Sequence, residues 1–183
     1  MPSRKVIAAG LVAGALVLGA APAYAAWSPS LTGAGPVSVK GTEASAVFEI
    51  GEDTIRQVRY ADRKTLTYTF ELVNDGLLPI KVEGIAQPKV KPTLFDYKSL
   101  KSGDKSKFTV GAGDRRLVTL SLFMTACERL SSRAGSFVKD VHLRTSSAFI
   151  DRTVVVTLPE QIHSGSPREV LCPNATADSR PPG

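Results

Sequence analysis

The side chains best suited to acid–base chemistry lie in one short stretch, residues 140–147. Asp140 and His142 stand two positions apart in "KDVHLRT", and Ser146 and Ser147 follow closely. A histidine beside a carboxylate can activate a serine when the groups lie within hydrogen-bond reach. Two interpretations stay open. The stretch is either a cryptic site around His142, in an accessory protein or small hydrolase, or the solvated polar face of a strand.

No recognised catalytic or metal-binding motif supports the first interpretation. The chain has no GxSxG nucleophile elbow and no HExxH metal motif, and the separation of His142 and His163 matches no metal-ligand spacing. Copper(I) prefers several soft ligands, and past the N-terminal segment Met124 is the one methionine. The sequence therefore predicts a non-enzymatic protein with no cofactor and no metal.

Charge suggests a binding surface instead. Residues 87–108 contain six lysines and two aspartates, a balance of +4 within a chain of net charge +6. One interpretation is a docking surface for an anionic envelope polymer or another exported protein. The other is a solvated connection, or an edge strand protected by lysines. Nucleic acid is not a predicted partner. The candidate binding residues are Lys89, Lys91, Tyr97, Lys98, Lys101, Lys105 and Lys107.

Alternating apolar and polar residues predict the strands that must position these groups. The clearest run, "LTYTFELV", places Leu66, Tyr68, Phe70 and Leu72 on one face. Similar period-2 runs of β-branched and aromatic residues begin near positions 45, 80, 116, 139 and 152, with turn residues between them. About seven such strands predict an all-β fold, a two-sheet antiparallel sandwich. The loop at residues 74–79 is too long for a tight hairpin, and we expect it to connect the two sheets.

Two stretches resemble bacterial immunoglobulin-like domains. They are "YTFELVNDGLLPIKVEGI", with a strand ending in Asn-x-Gly, and "VGAGDRRLVTLSL", with a glycine turn ahead of a central strand. With "ACER" and "LCP", the layout is similar to small exported proteins of high-GC Gram-positive bacteria, most of them uncharacterised. The resemblance spans residues 45–160. It implies an immunoglobulin-like β-sandwich and carries over no catalytic residue.

The N-terminus predicts export. Arg4 and Lys5 precede an apolar run of 14 residues, Val6 to Gly19, and "AYA" at 23–25 fits a signal-peptidase site. The predicted organisation is a signal peptide (1–25), a flexible lead-in (26–44), the sandwich (45–163) and a C-terminal tail (164–183). No later run is long enough to span a membrane. We expect a secreted, extracellular protein, with association to the cell wall as one option.

Two cysteines in an exported chain predict a disulfide between Cys127 and Cys172 that ties down the tail. Closing the loop between Cys127 and Cys172 would stabilise the fold by roughly 4 kcal/mol in the chain-entropy model. Two reduced thiols, or a bond between molecules, are the alternatives. Taken together, the sequence predicts a secreted structural or interaction module at the cell envelope, without identifying its ligand.

Overall fold

The described part of the chain is built from strands. The computed structural model describes residues 30–60, 63–88, 95–125 and 137–163, and none of these residues forms a helix that could cross a membrane. The strands are β1 (Leu31–Lys40), β2 (Thr42–Ile50), β3 (Asp53–Tyr60), β4 (Thr65–Asn74), β5 (Ile80–Ile85), β6 (Phe95–Lys101), β7 (Phe108–Val110), β8 (Arg115–Met124), β9 (Phe137–Ser147) and β10 (Ile150–His163).

Two sheets pack face to face. The four-stranded sheet has the order β1-β4-β8-β6, and the six-stranded sheet has the order β2-β3-β10-β9-β5-β7. The predicted all-β two-sheet sandwich is confirmed, with ten described strands instead of about seven. The prediction of antiparallel pairing throughout is wrong at one place, because β10 and β3 run parallel from Gln161↔Ile55 to His163↔Gln57. After a register shift, the final residues of the long β10 pair with β9 on one side and with β3 on the other.

The core lies between the sheets, where inward-facing residues alternate along β4 and β8. Leu66, Tyr68, Phe70 and Leu72 are at most 1% exposed, as their spacing predicted. The inward face of β8 is equally dry and consists of Val118, Leu120, Leu122 and Met124. Because successive side chains on a strand point to opposite faces, the period of 2 alone assigns these residues to the core.

The predicted flexible lead-in differs from the structure. Leu31–Lys40 form β1, an edge strand that pairs with β4. A Cβ on Gly33 would lie 2.4 Å from the Thr157 carbonyl oxygen, so the glycine permits close packing of β1 on β10. Gly41, at φ 79°, then turns the chain directly from one sheet into the other. These glycines resemble a linker in sequence, but the tertiary structure uses them for close approach and a sharp turn.

The loop at residues 74–79 connects the two sheets, as expected, and Asn74 organises it. This side chain is 0% exposed. Its Nδ2 donates to the carbonyl oxygens of Leu78, Val110 and Gly111 at 2.8–3.1 Å, while its Oδ1 accepts the Gly76 N–H at 3.0 Å. A residue predicted as a turn former is therefore a buried polar connection between two loops.

Candidate functional site

The structure does not assemble the residues around His142 into a hydrogen-bonded set. The Asp140 carboxylate accepts a hydrogen bond from Thr157 Oγ1 at 2.8 Å, and Ser147 Oγ donates to the Pro79 carbonyl at 3.0 Å. The His142 ring and the Ser146 hydroxyl make no hydrogen bond with any described residue. Asp140 and His142 do share the polar face of β9, as the alternation predicted.

The candidate lysines divide between the two sheets. Lys98 and Lys101 lie on the outer face of the edge strand β6, with Lys98 Nζ 4.8 Å from the centre of the Phe123 ring. Lys105 lies in the turn that follows, and Lys107 lies beside β5 of the other sheet. The charged stretch therefore includes a lysine-bearing edge strand, as one of the two interpretations held. Lys89, Lys91, Cys127 and Cys172 lie outside the described residues, as do the predicted signal peptide and tail.

Tyr97 belongs to the sandwich and not to the lysine surface. Its ring packs edge-on against Phe95, with centroids 5.3 Å apart, and its hydroxyl donates to the Asp140 carbonyl at 3.3 Å. Burial raises the pKa of Tyr97 to about 12. The side chain therefore bridges β6 and β9, and its position gives it a structural role.

A cationic cavity of about 550 Å³ lies where β5, β9 and β10 meet the start of β7. We call it the arginine cavity. Its lining consists of Glu83, Lys107, Arg144, Thr145, Asp151, Arg152 and Thr153. The three cations outnumber the two carboxylates, so the lining carries a net positive charge.

Glu83 is held at the rim of this cavity by two lysines. A β-bulge makes Glu83 the extra residue of β5, between the pairs Val82↔Thr145 and Gly84↔Arg144. Its carboxylate pairs with Lys81 and, at 3.3 Å, with Lys107. The hydrogen bond from Lys81 is the main cause of a lowered pKa of Glu83, and the hydrogen bond from Lys107 lowers the pKa further. Glu83 therefore stays ionised and neutralises part of the lysine charge.

The two arginines are left without such a partner. Neither Arg144 nor Arg152 makes a side-chain hydrogen bond or ion pair with any residue that the structure describes. A Cβ on Gly84 would lie 3.3 Å from Arg144 Nη2, and the φ of Gly84 is 139°. Glycine at this bulge therefore leaves room for the Arg144 guanidinium above β5. An arginine that no described residue pairs with, next to a lysine, can bind a carboxylate or phosphate group by paired N–H donors.

Sequence reasoning missed both arginines. Arg144 lies on β9 and Arg152 on β10, and the tight connection between these strands sets Arg144 opposite Thr153 and Arg152 opposite Thr145. In this register the two arginines belong to opposite faces of the hairpin, so alternation along the strands does not by itself bring them together. Their meeting with Lys107 depends on the order of strands in the sheet, which the pattern does not contain.

Across the described ranges, no three His, Cys, Asp or Glu side chains converge in a way that could hold a metal ion. Met124, the methionine considered for copper, is 2% exposed and faces the core as predicted. Its thioether packs with apolar neighbours in the interior.

Comparison with known proteins gives no family. No protein-family model matches the chain, and no curated protein matches it. Among solved structures, the cupredoxin domain of amoB from Nitrosocaldus yellowstonii is 14% identical over 56% of this chain and 57% of that one, with a TM-score of 0.28. The match spans little more than half of that domain, and a likeness this slight carries no argument about family or metal.

Proposed function

We propose that the protein is a non-enzymatic interaction module, working at or beyond the cell surface, that binds an anionic polymer of the envelope through the arginine cavity. The observation that carries the proposal is a concave surface lined by Lys107, Arg144 and Arg152, in which neither arginine has an ion-pair partner among the described residues. A polymer with repeated phosphate or carboxylate groups supplies the anions that these cations lack.

Several sequence features support the same proposal. The N-terminal pattern favours export, which places the protein where such polymers occur. The sequence resembles bacterial immunoglobulin-like domains, which are one specific kind of two-sheet sandwich. This resemblance suggests a scaffold whose faces and loops bind partners. Lysines on β6 would add weak, salt-dependent attraction around the cavity.

Cell-wall pull-down at two salt concentrations tests the proposal with two double variants of equal charge change. The cavity variant is Lys107→Glu with Arg144→Glu, and the control is Lys98→Glu with Lys101→Glu on β6. We expect the cavity variant to bind at least about 10-fold more weakly, since roughly 1.4 kcal/mol is lost when paired contacts become repulsive. The control variant should lose less of its binding to cell wall. Its binding should also increase less when the salt concentration is lowered.

Equal loss in the two variants would mean attraction by net charge alone and would remove the cavity from the account. Unchanged retention in both would remove anionic polymers altogether. Far-ultraviolet circular dichroism of each variant shows whether the fold is retained, which is expected because all four side chains are exposed.

A further inference from the structure

Among the strands that the structure describes, β2 leaves one edge of the six-stranded sheet open, whereas the other three sheet edges carry protecting features. β1 is interrupted by a register shift and contains Pro36, β6 carries two lysines, and β7 is three residues long. β2 has nine residues, "TEASAVFEI", with no lysine and no proline. Within the described residues β3 is the strand paired with β2, so the other side of β2 presents free backbone groups. An edge of this kind is a template for another strand.

Several of the exposed side chains of β2 are large and apolar. Val47, Phe48 and Ile50 are 46%, 48% and 64% exposed. Beside them is a cavity of about 360 Å³ whose lining includes Ala44, Ala46 and Phe48. Large side chains at one half of the strand and small ones at the other make the edge self-complementary in shape.

We propose that β2 pairs antiparallel with β2 of a second copy of this chain, about a two-fold axis at Val47. In this register Phe48 of one copy lies opposite Ala46 of the other, and Ile50 lies opposite Ala44. Each large side chain thus meets a small one, and Phe48 is directed at the cavity beside the alanines. The two six-stranded sheets join into one continuous sheet, and the pairing is isologous.

Charge favours the same register. Ser45 lies opposite Glu49 of the second copy, and the Ser45 hydroxyl already accepts a hydrogen bond from Arg56 Nη1 at 3.3 Å. The second copy's carboxylate therefore approaches a guanidinium, and the two-fold axis repeats the contact. In the neighbouring register, Phe48 of one copy would lie opposite Phe48 of the other, and Glu49 would lie opposite Val47. That register would lose the complementarity of shape and of charge.

Sedimentation equilibrium of purified protein, expressed from the whole chain, tests the association. We expect a dimer in the micromolar range. Val47→Lys should weaken it at least about 10-fold, because two lysines would face each other across the axis. The control, Leu117→Lys, removes a side chain of similar exposure, 59%, from the other sheet and should leave the dimer intact.

Cross-linking tests the register even if the lysine variant folds poorly. Opposed residues of an antiparallel pair have Cα atoms about 4.5–5.5 Å apart, within disulfide range. Val47→Cys should therefore oxidise to a covalent dimer. Ile50→Cys should not, because two copies of that position lie about 20 Å apart along the strands. The unchanged chain, oxidised in parallel, reports any linkage through Cys127 or Cys172.

Three outcomes would overturn the proposal. One is a dimer that Val47→Lys does not weaken. Another is efficient cross-linking at position 50 with none at 47. The third is a monomer at every concentration, and protection of its β2 amides from hydrogen exchange would then assign the edge to the chain's own residues 164–183, which follow β10.

Discussion

The two edges of the six-stranded sheet are built in opposite ways. At the β7 edge the strand is short, Phe108 and Val110 are buried, and Lys107, directly before the strand, pairs with Glu83. At the β2 edge the strand is long and its side chains are largely exposed. The first edge belongs to the core and borders a cationic cavity, and the second extends beyond the core. A sandwich with a well-packed core can therefore still have one edge strand that is suited to pairing with a partner.

Buried polar contacts fasten the two edges differently. Near β7, Asn74 satisfies the carbonyls of Val110 and Gly111 from the interior. Near β2, Arg56 of β3 forms a two-point ion pair with Glu160 of β10, whose second bond is 3.1 Å long. The Asn74 hydrogen bonds are fully buried, whereas the Arg56–Glu160 ion pair is partly exposed. We therefore expect the two contacts to contribute differently to the free energy of unfolding.

The largest expected effect is that of Asn74→Asp. A carboxylate has the same shape but no donor, and it would face three carbonyl oxygens in the interior. We expect the free energy of unfolding to fall by at least about 3 kcal/mol. Chemical denaturation checks this, with Asp75→Asn at the exposed neighbouring position as control. An unchanged midpoint would show that the β7 edge is not fastened by Asn74.

Glu160→Gln should have a smaller, more local effect at the other edge. The amide leaves the partly buried Arg56 without its charged partner, and we expect a loss of about 1–2 kcal/mol. Hydrogen exchange should accelerate in β2 and β3 more than in β4 and β8. The matched control is Lys139→Gln, which breaks an exposed ion pair with Asp53 between strands of the same sheet. We expect this control to lower the free energy of unfolding by less than about 0.5 kcal/mol. Uniform acceleration would contradict a local role.

Two tyrosines, Tyr68 and Tyr97, form hydrogen bonds between the two sheets. The Tyr68 hydroxyl donates to the Glu160 carbonyl at 3.0 Å and accepts the Glu160 N–H at 3.1 Å, whereas Tyr97 makes a single bond of 3.3 Å. Tyr68→Phe should therefore cost about 1–2 kcal/mol, and Tyr97→Phe less than about 1 kcal/mol. Thermal unfolding of both variants measures the difference. Equal losses would mean that packing, and not the hydroxyls, connects the sheets.

The last expected effect is a loss of stability at high pH. Burial raises the pKa of Tyr68, and it raises that of Tyr97 to about 12. A pKa above the unfolded value, about 10, means that the stabilisation is complete below that pH and is lost as the pH rises through the folded value. Denaturation followed from pH 9 upward should show this decline, and Tyr97→Phe should reduce it. A flat profile to pH 12 would contradict the burial of both phenols.

Particular residues show how far prediction from sequence extends. The buried faces of β4 and β8 were predictable, because alternation requires no knowledge of the partner strand. β3 was missed, because "DTIRQVRY" has few apolar residues, and Val58 is the one fully buried side chain among those that the structure describes in this strand. β6 was interpreted through its lysines, although Phe95 and Leu100 bury its other face. The arginine cavity was unpredictable, because Lys107 reaches Glu83 only once β7 pairs with β5.

The sequence by itself determined the strands with strong alternation, the loop that changes sheets at Asn74 and the two-sheet class, because these depend on neighbours along the chain. The packing of the two sheets sets the order of the strands, the parallel contact of β10 with β3, and which of the described strands lie at the sheet edges. The physical reason is that backbone hydrogen bonds between strands are the same for every sequence. Which strands become neighbours therefore follows from how all the faces pack together, and no local pattern records that choice.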